Sequence, residues 1–69
     1  MGPTQPPPAE AVRYHATTDA DPSERIPWIK ITASVEISGE WVTPEVIAAS
    51  ARQLADTITA RLRAAVEDQ

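Results

Sequence analysis

Between Trp28 and Ser38 the chain alternates without a break. Ile29, Ile31, Ala33, Val35 and Ile37 fall on one side, and Lys30, Thr32, Ser34, Glu36 and Ser38 on the other. A period of two carried largely by β-branched residues predicts a strand with one apolar face. A weaker alternation runs from Ala11 to Thr18, with Val12, Tyr14 and Ala16 set against Arg13, His15 and Thr17, and makes this a candidate first strand. Asp19 to Pro27, rich in Asp, Pro and Ser, reads as the connection between them. Such a connection is long for a tight hairpin, so the partner of the main strand is left open between this segment and another subunit.

The period changes after Gly39, which can supply the positive φ of a sharp turn. Thr43 suits a helix N-cap, Pro44 the first helical position and Glu45 the positive end of the helix dipole. Val42 and Ile47 occupy the two positions of a hydrophobic staple. From Pro44 to about Glu67 no Gly or Pro intervenes, and Ile47, Ala51, Leu54, Ile58, Leu62, Ala65 and Val66 recur at steps of three and four. That stripe is expected to face the strand. Arg52, Gln53, Asp56, Thr59 and Arg63 lie off it, and Ala48, Ala49, Ala60 and Ala64 offer small surfaces to another helix.

The two main elements match in length. A strand over 28–38 and a helix over 44–67 each span roughly 36 Å. The helix is therefore expected to run back along the strand and cover its isoleucines. The fold class is α+β, a small ββα (or βα) unit over residues 11–69, preceded by a Pro-rich extended or disordered arm at 1–10. Two copies related by a two-fold axis would make a sheet of about four strands with a helix pair on one face.

Size sharpens this expectation. A chain of 69 residues supports a core worth no more than about 3–5 kcal/mol, and domains this small are commonly braced by disulfides, a metal or a partner. There is no Cys and one His, which removes disulfides and thiolate zinc sites and leaves self-association or docking on a larger protein. The missing Cys also fits a reducing compartment. The net charge of −4 and pI near 4.7 give no general attraction to nucleic acid or anionic lipid. No apolar run reaches membrane-spanning length, the first residues do not resemble a signal peptide, and Pro6 stands where a myristoylation motif requires Ser or Thr. The expected location is cytoplasmic. An Ala-rich helix that prefers Arg to Lys is associated with GC-rich bacterial or phage genomes.

Candidate chemistry is sparse. His15 is the only imidazole, and no pattern sets it beside a nucleophile and an oxyanion loop. Asp19, Asp21 and Glu24 form an acidic cluster but lack the further acidic ligands and glycine of a calcium loop. No enzymatic activity, cofactor or metal is expected. Trp28 and Trp41 bracket the main strand, and Trp28 shares the polar side with Lys30 and Thr32. An aromatic there implies something packed on it, so Trp28, Lys30, Trp41, Arg52 and Arg63 are the candidate partner-binding residues. Ile29, Ile31, Val35, Ile37, Leu54, Ile58 and Leu62 are the candidate core or dimer interface.

These features point first to a non-enzymatic, self-associating accessory or structural protein docking on a larger bacterial or phage assembly. Its expected partners are a second copy of itself, as a homodimer or higher oligomer, or that assembly. Strand followed by helix is also partly similar to ribbon-helix-helix DNA-binding dimers, whose paired strands read the major groove. The departures are a single outward Lys beside Glu36, a long strand, and one unbroken helix in place of two. A third alternative is an inhibitor that adds its strand to the sheet edge of a target.

Overall fold

The computed structural model describes residues 6–67, so Met1 to Gln5 of the Pro-rich arm, together with the last two residues, lie outside the described region. The elements follow the order β1 (Val12–Asp21), β2 (Trp28–Ile37), a turn of 3-10 helix (Gly39–Trp41) and α1 (Pro44–Glu67). The architecture is a two-stranded antiparallel sheet followed by one long helix, a ββα unit.

β1 pairs with β2 within the chain, in a register that sets Val12 opposite Ile37, Ala16 opposite Ala33 and Asp21 opposite Trp28. The question of a partner for β2 is thus answered on one edge by the same polypeptide. β1 runs three residues beyond the expected Thr18, through Asp19, Ala20 and Asp21. Local propensity disfavours Asp in a strand, but pairing overrides it, because Asp19 lies across from Lys30 and Ala20 across from Ile29. The connection shrinks accordingly to residues 22–27. It opens with the Asp21 carboxylate accepting from the Ser23 backbone N–H at 3.1 Å and from the Ser23 hydroxyl at 2.7 Å, a side-chain substitute for a backbone turn.

Exposure along β2 alternates as its sequence does, with each inward residue half-buried and each outward one exposed. The turn to the helix uses Gly39 at φ +67°. Thr43 caps α1, its hydroxyl accepting from the Val46 backbone N–H at 3.2 Å. Val42 and Ile47 are both more than half exposed or evenly so, at 56% and 50%, and the expected staple therefore shields little apolar surface.

α1 returns along β2 as its length requires, with Ala64 and Ala65 sharing a cleft with Ile29 near the far end. The helix is rolled relative to the expected stripe. Val46, Ser50, Leu54, Thr57, Ile58, Arg61 and Ala65 are its buried or half-buried positions, whereas Ile47, Ala51, Leu62 and Val66 are exposed. The apolar positions form a band wider than the sheet can cover, and the small side chain of Ser50 is the most fully buried on the helix, at 2% exposure. Tyr14 donates to the Ser50 hydroxyl over 3.4 Å, and Arg61 donates to the Thr18 hydroxyl at 2.9 Å. Both bonds reach β1 through side chains, while the body of α1 packs chiefly on β2.

Candidate functional site: an uncovered apolar face

Among the described residues, Ala11 at 6% exposure is the one buried hydrophobic residue. A two-stranded sheet and one helix make two layers with little between them. The accessible surface is 5734 Å², against about 4,200 Å² for a compact monomer of this mass. The Cα radius of gyration is 15.9 Å, where about 11 Å describes a compact chain of this length.

The open surface is not distributed evenly. On the β1 side of α1, Glu45, Val46, Ala49 and Ser50 share a cleft with Val12 and Tyr14 that Pro6 and Pro7 also line. The second half of the Pro-rich arm therefore lies against its own fold, held by a turn in which Ala11 N–H donates to the Pro8 carbonyl at 2.9 Å. On the opposite side of α1, at 3.6 residues per turn, Ile47, Ala51, Ala55, Ile58, Leu62 and Val66 form one row. Ile58 is half-buried and the others are exposed, Val66 to 71%. That row stands on the β2 side. β2's outer edge has no strand beside it among the described residues, so an apolar helix face and an open row of backbone donors and acceptors occupy the same flank.

The expected site residues divide between these surfaces. Ile29, Ile31, Val35 and Ile37 are half-buried beneath the helix, joined by Leu54 and Ile58. Leu62 belongs to the uncovered row. Trp28 is 43% exposed on the outer face, with its indole N–H donating to Glu24 at 3.1 Å. Trp41 is half-buried in the turn. Lys30 is on the outer face opposite Asp19, while Arg52 and Arg63 are exposed on the helix. The structure therefore does not gather the five candidate partner-binding residues into one patch. Sequence reasoning missed Ser50 and Arg61, whose roles follow from the roll of the helix. A signal for Ser50 was available: a small polar residue amid helical apolar positions is suited to a close crossing.

The outer face of the sheet is wet and balanced in charge. Arg13 is hydrogen-bonded and ion-paired to Glu36, both about two-thirds exposed, Asp19 faces Lys30, and His15 faces Ser34. No group of three or more metal-ligating side chains comes together among the described residues. The cleft at the hairpin end, about 430 Å³, is lined by Thr18, Ala20, Pro22, Ile29, Arg61, Ala64 and Ala65. Its one charged group, Arg61, is the residue bonded to Thr18. None of the described helices is long and apolar enough to cross a membrane. Compared with protein-family models, curated proteins and solved structures, the chain matches none.

Proposed function

We propose that this chain is a non-enzymatic, self-associating accessory or structural protein that docks on a larger bacterial or phage assembly in the cytoplasm. One observation carries the reading: the apolar row Ile47 to Val66 lies uncovered on a fold whose described residues bury a single alanine as hydrophobic core. Exposed contiguous apolar surface of this kind marks interaction sites, and a unit this small gains most from association. The mixed charge of the outer sheet face supplies no basic track for a nucleic-acid backbone.

Sedimentation velocity from nanomolar to high micromolar concentration tests the reading, with helix content followed by circular dichroism. The expected result is a concentration-dependent rise in mass accompanied by a gain in helicity. A monomer of unchanged mass and full helix content across that range would overturn it. Leu62→Lys places a charge in the middle of the exposed row and is expected to abolish the mass increase. Assays for sequence-independent DNA retention at low salt supply the contrary outcome, in which DNA binding would replace self-association as the function.

A further inference from the structure

Resting on the self-association just proposed, we infer that the occupant of the open flank is a second copy of this chain, joined edge to edge through β2 about a two-fold axis at Ala33. The product is one four-stranded antiparallel sheet in the order β1-β2-β2-β1, with the two α1 helices antiparallel and side by side on one face.

β2 reads alike from either end. About Ala33, Thr32 mirrors Ser34, Ile31 mirrors Val35, Lys30 mirrors Glu36 and Ile29 mirrors Ile37. An antiparallel copy in that register sets aliphatic residues beside aliphatic residues under the helices. On the wet face it sets hydroxyl beside hydroxyl and lysine beside glutamate, twice each by symmetry. A shift of two positions in register sets Ala33 against Ile31 or against Val35 and moves Lys30 from Glu36 to Ser34 or Ser38, so the mirrored register is the best matched.

Backbone direction agrees. The Ser38 N–H donates to the Ala11 carbonyl at 2.9 Å, so the even-numbered residues of β2 direct their backbone groups into β1. In an antiparallel ladder the odd-numbered residues then direct theirs outward. With Ala33 on the axis, odd residues meet odd residues, and every outward N–H and C=O between Ile29 and Ile37 finds a partner.

The helices also fit. Strand spacing of about 4.8 Å puts β2 about 2.4 Å and β1 about 7 Å from the axis. α1 reaches β1 through the Tyr14 and Arg61 side chains but packs chiefly on β2, so the two helices meet close to the two-fold axis. Ala51 and Ala55, near the midpoint of α1, permit that approach, and the apolar row is covered by its own counterpart.

The rival edge, β1, has a charge mirror of its own, Arg13 with Asp19 about Ala16. Pairing there leaves the row from Ile47 to Val66 in water, which is why β2 is favoured.

The absence of Cys makes crosslinking decisive. In the inferred register Thr32 faces Ser34 of the other copy at about 4.5 Å between Cα atoms, within disulfide reach, whereas two copies of Thr32 are offset beyond it. Thr32→Cys and Ser34→Cys chains are mixed, exchanged and mildly oxidised, with His15→Cys and Thr17→Cys chains as the β1-edge arm. The expected result is a 32-to-34 heterodisulfide that accumulates in preference to either homodisulfide, with none from the β1-edge pair. Preferential linkage of the 15/17 pair, or no preference among pairings, would overturn the inference. Light scattering of the unmodified chain separates the two levels: a monomer defeats both this inference and self-association, and a dimer without the 32-to-34 link defeats this inference alone. Ala33→Pro supplies a second readout, since it removes an outward N–H while leaving the β1 ladder intact. It is expected to retain the hairpin's circular dichroism and lose dimerisation; a dimer that survives it counts against the inference.

Discussion

Ser50 is the residue on which the helix turns about its own axis. It is nearly inaccessible and bonded only weakly to Tyr14, whose ring is 49% exposed. Its value is its size. Ser50→Ala removes a long hydrogen bond and gains helix propensity, so stability should change by less than about 1 kcal/mol. Ser50→Leu must push α1 off the hairpin and is expected to cost about 1–3 kcal/mol, a difference that urea denaturation of the two variants resolves. Thr43 acts more locally. Thr43→Ala loses the bond to the Val46 N–H and should cost about 1 kcal/mol, or a fall of about 4–8 °C in Tm for a chain of this size. Arg13→Ala, by contrast, breaks an ion pair standing in water and should cost under about 1 kcal/mol, shrinking further in high salt.

At the scale of elements, what could be read from the residues was whatever local chemistry determines. The Thr43-Pro44-Glu45 cap, the left-handed turn at Gly39 and the β2 alternation each depend on neighbours in the chain, and the bounds of α1 and β2 agree with them to within a residue. The end of β1 was not legible, because Asp19 and Asp21 become strand residues only when Lys30 and Trp28 lie across from them. The roll of α1 was not legible for a related reason. Leu54, Ile58 and Ala65 fit both the sheet-facing side and the uncovered side, and the periodicity does not choose between overlapping faces. The candidate site was legible only in its ingredients: Leu62 belonged to a plausible stripe, but its exposure came from the choice of Ser50 as the inward residue.

The whole molecule presents more surface than its mass warrants and buries little between its layers. If association completes it, stability is inseparable from concentration. Each tenfold dilution should then lower stability by about 1.4 kcal/mol of dimer, and Tm measured at several protein concentrations should fall steadily on dilution. A concentration-independent Tm would identify a monomer held together by its own contacts.

The two bonds from the helix to the first strand have a consequence for how the hairpin closes. Ser50 and Arg61 are separated by about 16 Å along α1, and their partners Tyr14 and Thr18 by about 13 Å along β1. They work as the jaws of a caliper laid across the ladder. If β1 slips two residues, its inward and outward sides remain correct, but both jaws miss their marks together. The helix thereby inspects an alignment that the strands alone would leave ambiguous, and it rejects the misread one.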